Sequence, residues 1–152
     1  MDEHGATVLR VCRAVLGSHA DAEDAWSETF VAALSAWPSL DAGANVQAWL
    51  VTIAHRKALD VVRARGRRAV PVERALEPPG RQEPEDDEVD ALRSALAALP
   101  DKQRRVLAYH YLGGLPYADV AALVGGTPEA ARRAAADGRR SLRTTLSRED
   151  TR

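Results

Sequence analysis

Tyr117-Ala-Asp-Val-Ala-Ala-Leu-Val-Gly-Gly-Thr-Pro-Glu-Ala-Ala-Arg-Arg-Ala-Ala-Ala-Asp-Gly-Arg-Arg-Ser-Leu142 reads as two helices joined by a tight glycine turn. Ala121 stands four residues before Gly125, with Val120 and Val124 beside it. The small side chain lets two helices cross closely, and Gly125 can take a positive φ without steric penalty. Thr127 is placed to cap the second helix, and Pro128 suits its first position, where a missing N–H is harmless. Arg132, Arg133, Arg139 and Arg140 then expose cationic heads along that helix. A helix-turn-helix offering its second helix to DNA is one reading. A plain helical hairpin with a solvated basic face is the other.

Working outward, Val89, Leu92, Leu96 and Leu99 recur at helical spacing up to Pro100. Asp101 is expected to cap the next helix, which runs to Gly113-Gly114. With the pair above, these helices predict one small C-terminal domain over residues 91–152. Before it, residues 69–90 hold Pro71, Pro78, Pro79, Gly80 and Pro84 and the run Glu83-Pro84-Glu85-Asp86-Asp87-Glu88. A segment so rich in proline and acid has too few apolar residues for a core and is expected to be a flexible linker.

Residues 1–68 predict a second helical unit. One helix spans about Val8–Leu16 and stops at Gly17-Ser18; another spans about Ala20–Trp37 and stops before Pro38. In the latter, Trp26, Phe30, Ala33, Leu34 and Trp37 share one face and are expected in the core. Asp24 and Glu28 lie opposite, with Asp21 and Glu23 near the helix start, where acids suit the macrodipole. A third helix, about Val46–Arg65, has Leu50, Ile53, Ala54, Ala58 and Val61 on its core face. Thr52, Arg56, Asp60, Arg63 and Arg67 form a polar ridge, extended by Arg65 and Arg68. The ridge could track phosphates, or it could be a solvated face with Asp60 pairing Arg56 or Arg63.

The whole chain is therefore expected to be all-α: two small helical domains on either side of a flexible linker, the C-terminal one a helix-turn-helix. Its net charge of −1 conceals an asymmetry: residues 1–65 carry −2, residues 66–90 carry −4 and residues 91–152 carry +5. A basic end on an acidic tether fits nucleic-acid binding at one end only. Catalysis has little support. No nucleotide-binding loop occurs, His4, His19, His55 and His110 lack ligand spacing, and the single cysteine, Cys12, has no evident base. Cys12 is expected to be a buried thiol. No cofactor and no metal are expected. With no secretory signal and no run of 18 apolar residues, a soluble cytoplasmic protein without membrane insertion is expected.

Four motifs, in order, carry a family resemblance: Asp21-Ala-Glu-Asp-Ala-Trp-Ser-Glu-Thr-Phe30; Asn45-Val-Gln-Ala-Trp-Leu50 with Ile53-Ala54, Asp60 and Arg63; Ala97-Ala-Leu-Pro-Asp-Lys-Gln-Arg-Arg-Val-Leu107; and Tyr111-Leu-Gly-Gly-Leu-Pro-Tyr117 leading into the helix-turn-helix. Together they resemble a minimal bacterial sigma factor of the sigma-70 family, extracytoplasmic-function group. The resemblance implies a non-enzymatic promoter-recognition subunit whose partners are core RNA polymerase, promoter DNA and, as is usual in the family, an anti-sigma factor. It implies that Asp21, Glu23, Asp24 and Glu28 dock on polymerase. It places Thr52, Arg56, Lys57, Arg63, Arg65, Arg67 and Arg68 at the −10 element, and Thr127, Glu129, Arg132, Arg133, Ala136, Arg139 and Arg140 at the −35 element. Departures from the family pattern include Arg56 for the usual Asn, Pro116 for a capping Ser or Thr, and Ala134, Asp137 and Gly138 in the recognition helix. Asp137 is expected to repel phosphate, and Gly138 to cost about 1 kcal/mol of helix propensity. Two other readings are an unrelated helix-turn-helix regulator and a sigma-like interaction protein that binds polymerase without recognising promoters.

Overall fold

The computed structural model describes residues 2–67 and 87–150, and among them every regular element is helical. Three helices form the N-terminal unit: α1 (Asp2–Leu16), α2 (His19–Ala36, continued by a 3-10 turn at Trp37–Ser39) and α3 (Val46–Arg67). Four form the C-terminal unit: α4 (Asp87–Ala98), α5 (Asp101–Leu107, widening into a π turn over Ala108–Leu112), α6 (Tyr117–Val124) and α7 (Pro128–Asp150). No helix among the described residues is long and apolar enough to cross a membrane.

Sequence spacing explains the packing of the first unit. Val8, Val11, Cys12, Val15 and Leu16 fall on one stripe of α1 and are all buried. Helix α2 meets α1 and α3 through small residues, Ala22, Ala25, Thr29 and Ala33, so the backbones approach closely. The buried Thr29 hydroxyl is satisfied by donating to Ala25 O at 2.6 Å. Trp26 and Phe30 pack beside this stripe, and the indole N–H of Trp26 donates to Gly5 O at 2.8 Å. The expected core face of α2 needs correction at its end: Leu34 and Trp37 are 64% and 54% exposed. The stripe of small residues already fills the contact and turns these two outward.

The two units share one core. Val51 on α3 and Val106 and Tyr109 on α5 and its π turn are all essentially inaccessible and belong to the same cluster as the α1 stripe. Gln47 Nε2 donates to Gly113 O at 2.9 Å, and Gly113 stands where an added Cβ would lie 3.2 Å from the Val51 side chain. Two arginines from different units cap the C-terminal end of α1. Arg65 Nη2 donates to Leu16 O at 3.0 Å and Arg104 Nε to Val15 O at 3.2 Å, cations against the negative end of the helix dipole.

Two boundaries differ from expectation. Helix α4 begins at Asp87, inside the segment read as linker, because Asp87, Glu88 and Asp90 in its first turn favour a helix start. The rest of that segment, like Arg68, lies outside the described residues. Asp101 is the first residue of α5 instead of its cap, and its carboxylate is taken by Arg104 at 2.6 Å and Arg105 at 2.8 Å.

Candidate nucleic-acid and partner interface

Helix α2 starts at a Ser18 cap, whose hydroxyl accepts from Asp21 N at 3.3 Å. The four acids expected to act together divide into two pairs. Asp21 accepts from Arg65 Nε at 2.8 Å and stands less exposed than its neighbours, while Glu23 pairs with His19 at 3.0 Å. Asp24 and Glu28 remain exposed on the outer face. They border a groove of about 350 Å³ between α2 and α3, whose far wall includes Asp60. Asp60 therefore faces the acids of α2, and among the described residues it forms no ion pair with Arg56 or Arg63. No spacing within one helix could have revealed a wall built from two. Farther along α2 and its 3-10 turn, Val31, Leu34 and Trp37 are exposed, and Leu34 and Trp37 line a separate, apolar groove with Val46, Trp49 and Leu50.

Helix α3 is capped by Asn45, whose Oδ1 accepts from Ala48 N at 3.1 Å. Arg56, Arg63 and Arg67 are exposed along its polar ridge and Lys57 is partly so. Thr52 is half-buried and donates its hydroxyl to Ala48 O at 2.8 Å. Arg65 departs from the expected set. It lies on the inner side, fastened to Asp21 and the end of α1, and so clamps the fold instead of facing DNA.

The helix-turn-helix forms as read. Gly125 and Gly126 both adopt φ of +89°, the left-handed region that favours glycine. Pro116 offers α6 no side-chain cap, but its carbonyl accepts from Asp119 N and Val120 N at 3.0 Å. Thr127 Oγ1 accepts from Ala130 N at 3.1 Å and opens α7. Thr127, Glu129, Arg132, Arg133, Arg139 and Arg140 are exposed on α7 and Ala136 partly so, with Ala131, Ala135 and Gly138 on the buried side. Two apparent defects of this helix acquire reasons. Gly138 is where α5 crosses α7: an added Cβ would lie 2.8 Å from Leu107 Cδ1 and 3.5 Å from Gln103 Cβ. Asp137 pairs with Arg140 at 3.2 Å, on the exposed side of the helix. Arg132 and Arg139 have different neighbours, lying 5.5 Å and 5.8 Å from the ring centres of Tyr117 and Tyr111.

Buried titratable groups sit in the core and away from these surfaces. Burial pushes the Cys12 thiol up to about 12, so it stays protonated. His55 is held below its ordinary value, chiefly by desolvation and then by Arg105. Burial raises Tyr109. Among the described residues no group of three or more His, Cys, Asp or Glu is arranged to hold a metal.

Comparison with known proteins agrees with this geometry. Residues 1–68 match the family model Sigma-70 region 2, and residues 90–142 match Sigma-70, region 4. The ECF RNA polymerase sigma factor SigD of Mycobacterium tuberculosis (strain ATCC 25618 / H37Rv) is 37% identical over 137 residues, covering 82% of this chain and 65% of that protein. The chain thus spans a little under two thirds of the length of such curated relatives. The sigma factor RpoE, solved in complex with the anti-sigma factor NepR from Bartonella quintana, superposes with a TM-score of 0.80 at 22% identity, covering 95% of this chain and 92% of that one. CnrH, solved with the cytosolic domain of CnrY, gives 0.67 at 23% identity, covering 96% and 84%. At these identities the two structures share the fold.

Proposed function

Because this chain belongs to the sigma-70 family, we propose that it binds core RNA polymerase and directs promoter recognition and DNA melting, as an extracytoplasmic-function sigma factor. The observation that carries this reading is the division of labour among exposed faces. Asp24 and Glu28 on α2 are solvent-exposed carboxylates, whereas the outer faces of α3 and α7 present arginines. A protein that must hold another protein and a polyanion at once needs such a separation.

In this reading residues 1–68 dock on polymerase and face the −10 element, residues 69–86 act as a tether, and residues 87–152 place α7 in the major groove at −35. Asp24 and Glu28 carry the docking, with Asp21 and Glu23 supporting the helix start. Arg56, Lys57, Arg63 and Arg67 follow the −10 strand, and Arg68 extends their charge. Neither surface grips DNA strongly alone; polymerase fixes both and supplies effective concentration. The protein acts by binding and catalyses nothing by itself, in the cytoplasm with its polymerase. RpoE and CnrH were solved with NepR and with the cytosolic domain of CnrY, and an antagonist of that kind is a further proposed partner.

Transcription by core polymerase with this protein, assayed across a library of promoter fragments, tests the reading. Shared −35 and −10 sequences upstream of defined starts are the expected result. Polymerase binding without starts would replace the reading with a sigma-like interaction protein, and no polymerase binding would leave an unrelated helix-turn-helix regulator.

A further inference from the structure

Resting on the proposed −35 role of α7, we propose that Tyr117 and Tyr111 are positioning residues, a ring platform that fixes Arg132 and Arg139 for DNA without neutralising them. The platform is built by the turn between α5 and α6. The π turn at Ala108–Leu112 inserts an extra residue per turn, and Gly113 and Gly114 redirect the chain, leaving Tyr111 half exposed. His110 is the central ring. Its Nδ1 lies 2.8 Å from Leu115 O, which sets its orientation. Tyr117 stacks on it at 3.9 Å and 15°, and Tyr111 meets it edge-on at 4.8 Å and 82°.

The arginines complete the arrangement from α7. Positions 132 and 139 are seven residues apart, two turns of helix, so both heads lie on the same flank. Each lies within cation–π range of its tyrosine. Among the described residues neither forms a salt bridge, in contrast to Arg140, which shares its charge with Asp137. The difference has a chemical consequence. A carboxylate that orders an arginine also competes with phosphate for it, whereas a ring face orders the guanidinium and leaves its charge and its N–H edge available. Ordering in advance removes part of the side-chain entropy lost on binding. A helix with Ala134 and Asp137 where arginines are usual thereby makes fuller use of the ones it has.

The test uses the full chain in polymerase holoenzyme, on a promoter bearing the −35 sequence, with affinity measured against salt concentration. Tyr117→Leu is expected to weaken binding roughly two- to fivefold, the loss of one exposed cation–π contact, while leaving the salt slope unchanged because no charge is lost. Arg132→Ala should lower the slope by about 0.9, one phosphate contact. Tyr117→Leu added to Arg132→Ala should then cost nothing further, and Tyr117→Phe, which keeps the ring, should bind like wild type. Tyr111 and Arg139 should behave in the same way. Equal losses for Leu and Phe, or a Leu loss that persists without Arg132, would overturn the proposal. NMR relaxation at arginine Nε in the free chain reads the positioning without DNA: Tyr117→Leu must loosen Arg132, and unchanged mobility overturns the platform. Loosened arginines in a holoenzyme that ignores −35 sequences would instead count against the function of α7.

Discussion

The Tyr109 hydroxyl lies 2.6 Å from Nδ1 of His55, joining the two units at a point where both residues are almost fully buried. Burial keeps the phenol protonated and the imidazole neutral, so the phenol donates. The rings meet edge-on at 5.1 Å, which adds an aromatic contact to the hydrogen bond.

The pair makes stability depend on pH. His55 is held below its unfolded value of 6.5 by desolvation, by Arg105 and by Arg56, with Tyr109 as its hydrogen-bonding neighbour. A base whose folded pKa is lowered binds fewer protons folded than unfolded. Its neutral form is therefore accommodated fully above about pH 6.5, and stability falls as pH drops below that value toward the folded pKa. Thermal unfolding should show a lower Tm at about pH 5.5 than at about pH 7.5, and His55→Gln should flatten the difference. Equal slopes for both proteins would assign the acid sensitivity to other groups.

Removing the donor leaves the acceptor. Tyr109→Phe keeps the ring but strands His55 Nδ1 in the core, which should cost about 1–3 kcal/mol in urea unfolding. A change under about 0.5 kcal/mol would mean that water replaces the phenol.

Arg65 and Arg63 are two residues apart and should fail differently. Arg65 holds Asp21 and the end of α1, so Arg65→Ala should lower stability by roughly 1–2 kcal/mol, discounted for its partial exposure. Arg63 is exposed, and Arg63→Ala should leave stability within about 0.5 kcal/mol while weakening promoter binding and its salt dependence. The comparison needs only denaturation curves and binding titrations on both variants.

Charge reversal on α2 separates docking from folding. Asp24→Lys with Glu28→Lys should weaken polymerase binding by tenfold or more, on the order of 1.4 kcal/mol, with no loss of helicity. Unchanged affinity would move the docking surface elsewhere.

Gly138 is expected to resist substitution in spite of its helix position. Alanine at that site gains helix propensity but approaches Leu107, so the two effects oppose. Valine should be clearly destabilising, by about 1–3 kcal/mol, because its two methyls add to a Cβ that already meets Leu107 and Gln103 of α5. A stable Gly138→Val protein would show that α5 and α7 can separate locally.

How much of this was legible beforehand depends on whether a feature is local. The glycine turn, the Thr127 cap, the α1 stripe and the exposed arginines of α7 follow from spacing within one helix, and the sequence motifs placed them. The outward turn of Leu34 and Trp37 was missed because small residues on α2 complete the contact first. The capture of Arg65 by Asp21, the acidic wall shared by Asp24 and Asp60, and the fit of Gly138 against Leu107 all join residues from different helices. Periodicity carries no information about such pairs. Gly138 offered a signal that was open to a second reading, since a glycine inside a helix is either a weakness or a close crossing.

The shared core has a consequence for timing. Elements named for positions −35 and −10 are separated by about 25 base pairs, roughly 85 Å of duplex at 3.4 Å per pair. A chain of this length folded around one core has a radius of gyration of about 15 Å. Under the proposed function, α3 and α7 cannot both occupy their promoter elements while Gln47 still holds Gly113 and Tyr109 still holds His55. The seam between the units then acts as a brake on initiation, and its strength sets how much binding energy polymerase must spend before any base pair is opened.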